Sequence, residues 1–202
     1  LGILGIGKSY LSIELIERMF AENIKVICLD LTDQYSSLLA DFYDETFHEE
    51  LNARLTAAAS GRPVETGKAD GGSIGEFQRV IKESVQSFLN SATEQKILFI
   101  NPAAFRVSRQ ISNAYQGNAA FRDLTPSEIT ALVSDAALRV CQDMGMTDQA
   151  RACLIYEEAH TLVPEWNSIA SEGDKNATAA SARAILQGRK FGLGCLLITQ
   201  RT

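Results

Sequence analysis

Near its start the chain reads Gly2-Ile3-Leu4-Gly5-Ile6-Gly7-Lys8-Ser9, which matches G-x-x-x-x-G-K-[ST] with one extra glycine at Gly5. That combination is a device for holding a triphosphate. Glycines let backbone N–H groups converge on phosphate oxygens, Lys8 neutralises the outer phosphates, and the Ser9 hydroxyl ligates Mg²⁺. Gly5, Ile6, Gly7, Lys8, Ser9 and Tyr10 would form the cradle for ATP. Tyr10, Leu11, Ile13, Leu15, Ile16, Met19 and Phe20 follow as an amphipathic run, so the loop opens a helix whose N-terminus attracts an anion.

A triphosphate site also needs an acidic element to hold the metal and activate water. The apolar run Ala152-Cys153-Leu154-Ile155-Tyr156 ends in Glu157-Glu158 and supplies one. Glu157 is placed to support Mg²⁺ directly or through water, although aspartate is usual there. Glu158 is placed to orient or deprotonate the attacking water. Gln200 ends the last strand-like run and could sense the γ-phosphate. Arg189 and its rival Arg183, with Arg201 a weaker candidate, could reach the ATP of a neighbouring subunit. His160 has no ligand-spaced partner and reads as orienting Glu158 or packing, and Trp166 as a packing residue with base stacking as the alternative. For each arginine a solvated surface role is the competing reading.

The elements that must position these groups are legible in outline. Residues 24–30, 96–101, 152–156 and 195–199 form short apolar runs, the first of them β-branched, that read as buried parallel strands, with Asp30 at the mouth of the first. Residues 36–95 read as a helical insertion broken by a glycine-rich loop at 60–73. A loop is expected from Pro102 through the basic residues Arg106, Arg109 and Arg122. Thr125-Pro126-Ser127-Glu128 is a capping box that starts a helix ending near Gly145, and a further helix is expected around 179–187. Strands alternating with helices imply an α/β fold with a mostly parallel sheet, whose site lies at the C-terminal strand ends.

Composition bounds the reading. The 202 residues suit one domain, and 46% hydrophobic with 22% charged content describes an ordinary globular chain. No apolar run reaches membrane-helix length and no secretory signal is evident, so no membrane partner and a cytoplasmic location are expected. The four cysteines lack metal-type spacing and read as small buried thiols. A net charge of −6 and a pI near 5.0 carry no footprint of a free-standing nucleic-acid binder, though a ring can line its channel with a few basic loops. Both ends read as cut, with residues 1–202 forming the core of something longer.

Taken together, Leu154-Ile155-Tyr156-Glu157-Glu158-Ala159-His160-Thr161-Leu162-Val163-Pro164, Gln187-Gly188-Arg189-Lys190-Phe191-Gly192-Leu193-Gly194 and Ile198-Thr199-Gln200-Arg201 resemble the HerA branch of the HerA/FtsK ATPases. The Gly2–Ser9 motif and Leu29-Asp30-Leu31-Thr32-Asp33-Gln34-Tyr35 fit the same pattern, whereas residues 36–149 support it only by layout. The resemblance implies a RecA-like P-loop NTPase core assembled as a homohexamer, with ATP between subunits and double-stranded DNA in the central channel. It also implies translocase or helicase activity alongside a nuclease or sirtuin-like effector, in DNA end processing or anti-phage defence. A non-motor scaffold ring, a conjugation or secretion pump and a small-molecule kinase are the alternatives, the last disfavoured because Glu158 and Gln200 suit water attack.

Overall fold

The computed structural model describes residues 6–65, 71–91, 95–111, 120–165 and 172–199, with the backbone alone for Ile6, Gly7, Lys8 and Glu172. The four apolar runs become one sheet of parallel strands in the order β2 (Ile97–Ile100), β1 (Lys25–Leu29), β5 (Thr147–Tyr156), β6 (Phe191–Leu197). Both faces are covered, which is why the strands read as nearly continuous apolar runs. On one face Val26, Cys28, Ile97, Cys153 and Ile155 meet Ile16 and Phe20 of α1 (Ile6–Ala21), together with Tyr35 and Leu39. On the other, Ile27, Leu29, Leu98, Leu154 and Tyr156 form the larger core with α3 (Glu45–Ala59), α4 (Ile74–Asn90), α5 (Pro126–Asp143) and α7 (Glu172–Gln187). The chain is therefore α/β with a parallel central sheet, as its sequence predicts. β5, β6 and α7 each begin earlier than the apolar runs alone suggest.

Most of the described residues in 36–95 are helical, with non-helical backbone at 61–65 and 71–73 between two long helices. After α2 (Gln34–Leu38) and a 3-10 turn at Ala40–Phe42, α3 and α4 pack over the sheet. This segment also blunts the edge strand β2. Buried His48 accepts the Phe99 N–H at Nε2 (3.0 Å), and its Nδ1 lies 2.8 Å from the Asp44 carbonyl. Those two bonds require the neutral ring with its proton on Nδ1. Burial accordingly holds His48 below the ordinary histidine range, against the pull of Asp44. A backbone donor that would invite edge-to-edge pairing is thus satisfied within the chain.

One expectation is corrected. The polar stretch after Pro102 is not simply a loop: Ser108–Ile111 (β3) and Ala120–Asp123 (β4) pair as an antiparallel ribbon. Its polar residues mask the strand pattern because tertiary contacts hold it. Ser73 N–H donates to the Ser108 carbonyl (3.0 Å), and Gly72, at φ +102°, approaches so closely that a Cβ there would sit 2.4 Å from that same oxygen. Arg122 is not available to an outside partner, since its guanidinium grips the buried Glu128 carboxylate through two bonds of 2.6 and 2.5 Å. Glu128 at the same time closes the predicted capping box, accepting Thr125 N–H (3.0 Å) while Thr125 Oγ1 accepts Glu128 N–H (3.2 Å).

No helix among the described residues is long and apolar enough to cross a membrane. Replacing Arg122 with alanine leaves the buried Glu128 carboxylate with the Thr125 N–H and, 3.9 Å away, Arg109. The loss should be about 2–3 kcal/mol of unfolding free energy in denaturant titration, less than for a fully buried pair because Arg122 is partly exposed. An unchanged midpoint would show that the pair does not anchor the ribbon.

Candidate active site

Strand pairing decides which residues share the mouth of the sheet. Leu29 pairs with Tyr156 and with Ile100, and Tyr156 with Leu197. The next residues, Asn101, Asp30, Glu157 and Ile198, therefore stand in one row at the C-terminal edge. The ladder continues into that row: Glu157 N–H donates to Leu29 O (3.0 Å), Asp30 N–H to Ile100 O (3.2 Å) and Ile198 N–H to Tyr156 O (3.0 Å). Adjacent strands lie about 4.8 Å apart. Asp30 and Glu157 are thus neighbours by construction, and both are almost completely buried, at 2% and 4% exposure.

Their partners differ. Asp30 Oδ1 accepts Thr32 N–H (2.8 Å) and Thr32 Oγ1–H (2.9 Å), while Oδ2 accepts Tyr35 N–H (3.0 Å). The carboxylate thereby organises the turn into α2. Glu157 Oε2, by contrast, is buried with no hydrogen-bond partner. Burial first, then the Asp30 carboxylate and then Glu158, push the Glu157 carboxyl up to about 7, with the Tyr35 hydroxyl opposing them. A buried acid beside a second acid, with one oxygen unclaimed, is a place that favours a cation.

Glu158 adopts a left-handed conformation (φ 54°, ψ 49°), unusual for a residue with a side chain. It caps the single helical turn α6 (Ala159–Leu162), which is tied to β6 by Ala159 N–H donating to Ile198 O (2.8 Å). His160 Nδ1 lies 3.2 Å from Glu158 Oε2 and 3.2 Å from Thr199 Oγ1, so the ring joins the two strand ends. The orienting role expected of His160 has this contact behind it. Val163 N–H closes α6 onto Ala159 O (2.8 Å).

Helix α1 begins at Ile6, which puts Gly7, Lys8 and Ser9 in its first turn, where backbone N–H groups lack intrahelical acceptors. Ser9 is tied to the acids through a short chain of hydroxyls. Ser12 Oγ donates to the Ser9 carbonyl (2.9 Å) and lies 2.6 Å from Tyr35 Oη, and Tyr35 N–H in turn donates to Asp30 Oδ2 (3.0 Å). Ser12 and Tyr35 were not singled out from the sequence. The available signals were a lone polar residue on the buried stripe Ser12–Ile16–Phe20 and a tyrosine five residues after the strand-end Asp30. Tyr10, at 81% exposure, projects outward beside the first turn.

The remaining expectations fall elsewhere. Arg189 is exposed on the 3-10 turn Gly188–Lys190 that leads into β6, at the opposite end of the sheet, about 20 Å along the strand from the acids. Arg183 is exposed on α7, and no hydrogen bond or ion pair among the described residues joins it to them. Gly5, Gln200, Arg201 and Trp166 lie outside the described residues, as does the side chain of Lys8. A cavity of about 840 Å³ bounded by Phe42, Tyr43, Phe47, Phe88 and Lys96 opens at the start of β2, away from the acids.

The residues present suit Mg²⁺ in part. Hard oxygen donors converge and one buried oxygen is orphaned, yet no group of three or more metal-binding side chains forms among the described residues. That suits a cation bound mainly by phosphate and water, with few protein ligands.

The sign of the Glu157 titration yields a prediction. Its folded value lies above its unfolded one of 4.5, so the stability it contributes is complete below that value and is lost as pH rises from there through about 7. Without divalent cation, Glu157→Gln should equal the wild type at pH 4 and exceed it at pH 8 by roughly 2–3 kcal/mol in denaturant titration. Equal stabilities at both pH values would mean that Glu157 is not electrostatically strained. Compared with protein-family models, curated proteins and solved structures, the chain matches none.

Proposed function

We propose that this chain is the RecA-like core of a Mg²⁺-dependent ATPase that works as a homohexameric ring to translocate or unwind double-stranded DNA, alongside a nuclease or sirtuin-like effector. The observation that carries the hydrolytic part is the buried Asp30–Glu157 pair with its orphaned oxygen, linked by hydroxyls to the first turn of α1. The ring, DNA and effector rest on the HerA resemblance of the motifs.

In this reading Gly5, Ile6, Gly7 and Tyr10 contribute backbone to the phosphate cradle, Lys8 neutralises the outer phosphates, and Ser9 and Glu157 hold the metal. Bound Mg²⁺ supplies charge neutralisation at the phosphate oxygens. Glu158, aimed by His160, accepts a proton from the attacking water. Gln200 senses the γ-phosphate. Arg189 stands too far from its own chain's acids to act on them, which leaves it and Arg183 as candidates for a neighbour's ATP.

One observation favours a second reading, a ring that switches an attached effector without moving DNA. Of the arginines around the ribbon, Arg122 is spent on Glu128, and the chain carries a charge of −6. Triplex-displacement assays separate the two, since a scaffold hydrolyses ATP without displacing a strand.

For the chemistry itself, Lys8→Ala should abolish hydrolysis. Glu158→Gln should retain bound ATP while turnover falls by about 10²–10⁴, measured as phosphate release and as nucleotide recovered with the protein. Normal turnover by Glu158→Gln would remove its assignment as base.

A further inference from the structure

The insertion that covers the β2 edge carries charge of one sign and aromatic rings on the same stretch of chain. Residues 41–50 hold the carboxylates Asp41, Asp44, Glu45, Glu49 and Glu50 and no lysine or arginine. None of these acids forms an ion pair among the described residues, whereas on α4 Glu76 and Glu83 are taken up by Arg79. Between the acids stand Phe42, Tyr43 and Phe47, each half-buried. Phe42 is anchored on Phe20 (ring centroids 4.7 Å apart) and Tyr43 on His48 (4.3 Å), so packing against the body of the fold holds these rings in place.

The three rings line the cavity of about 840 Å³ at the start of β2, together with Phe88, Asp41 and Asp44. That volume lies in the range of preformed ligand sites. Asp41 is exposed, and Asp44 uses Oδ1 to accept the Phe47 N–H (3.0 Å) at the start of α3. Lys96 is the cation on the lining, and its ammonium is held by Asn23 Oδ1 (2.8 Å). Lys25, nearby, donates to the carbonyls of Phe88 (2.6 Å) and Ser91 (2.7 Å) at the end of α4. Its Nζ also lies 5.0 Å from the centre of the Phe88 ring, so the fold already sets a cation on an aromatic face beside this cavity.

Aromatic walls with unpaired acids among them select their occupant. A phosphate backbone is repelled by the carboxylates, which sets nucleic acid aside. A guanidinium is planar, weakly hydrated and permanently charged; it stacks on aromatic faces and forks onto carboxylates, which a lysine ammonium does less well. We propose that this cavity is a docking site for an arginine-bearing segment of a partner protein, the guanidinium stacking on the Phe42, Tyr43 and Phe47 wall and bonding Asp41 and Asp44. The inference names the kind of partner that the effector part of the proposed function requires, and it rests on that reading for the partner's role alone. The cavity lies away from Asp30 and Glu157, so docking and nucleotide chemistry do not compete for space.

The experiment titrates the full chain, without nucleotide, into a capped, fluorescein-labelled peptide carrying two arginines separated by glycine, followed by anisotropy. Binding should saturate, weaken about fivefold with lysine in place of arginine, and vanish with citrulline, which keeps the shape and loses the charge. Asp41→Asn should weaken it about fivefold and Asp41→Lys about twentyfold, while Lys96→Gln, which removes a like charge, should tighten it about threefold. Tyr43→Leu, which keeps apolar bulk without the ring face, should cost about tenfold; should it fail to fold, the exposed Asp41 and the Lys96 variants decide. Asp148→Lys, at the cavity beside Arg189, should stay within about twofold of wild type.

A citrulline peptide that binds as well as the arginine one, or equal losses for Asp41→Lys and Asp148→Lys, would overturn the proposal. So would sedimentation showing that Asp41→Lys breaks up an oligomer of the wild type, since the occupant would then be a second copy. A chain that binds the peptide but gains no thermal protection from Mg²⁺·ATP loses the nucleotide reading alone. One that is protected by Mg²⁺·ATP but ignores the peptide loses this docking site alone.

Discussion

Two carboxylates, Asp30 and Glu157, are forced side by side in a buried strand mouth by the pairing of β1 with β5, and the rest of the site is arranged around that proximity. Neither can move away, because each follows directly on a buried strand residue whose ladder bonds continue into the acid itself. Unpaired, buried like charges are unfavourable. The fold meets half of the difficulty locally: Asp30 receives three hydrogen bonds from Thr32 and Tyr35 and stays with the backbone. Glu157 keeps an oxygen with nothing to bind. The strain is thereby concentrated on one atom, at the position where a triphosphate-bound cation would relieve it.

The surrounding elements keep the neighbouring groups at fixed distances from that atom. The larger core on one face and the α1 core on the other hold the strands so that no single loop sets the geometry. The left-handed turn at Glu158 breaks the strand direction at once, so that Glu157 and Glu158 face different partners although they are consecutive. His160 then joins Glu158 to the end of β6, whose continuation carries Gln200. A shift in β6 would be felt at Glu158, which gives the proposed reading a route from strand movement to the residue it assigns as base.

The parallel sheet was legible because its strands are short, apolar and covered on both faces, and the capping box at Thr125 was legible because it is a local device of four residues. The acids at the strand ends were legible for the same reason: their place follows from where an apolar run stops. The β3–β4 ribbon was hidden, since its strands carry Arg109, Gln110 and Arg122 and exist through contacts with Ser73, far back in the chain, and with Glu128 on the following helix. Tyr35 was hidden in a different way. A tyrosine after an acidic turn looks like ordinary packing until its hydroxyl is seen 2.6 Å from Ser12 and its N–H on Asp30. The arginines could be named from sequence but not located, and the sheet direction puts Arg189 at the far end from the acids.

The central claim is that the first turn of α1 and the Glu157 strand end share one metal-bound triphosphate. Crystals grown with Mn²⁺ and a non-hydrolysable ATP analogue, phased on the manganese anomalous signal, test it most directly. The account predicts a single Mn²⁺ about 2.2 Å from Ser9 Oγ, with Glu157 in its first shell or one water away. Manganese at another surface, or a nucleotide bound far from Glu157, would contradict it.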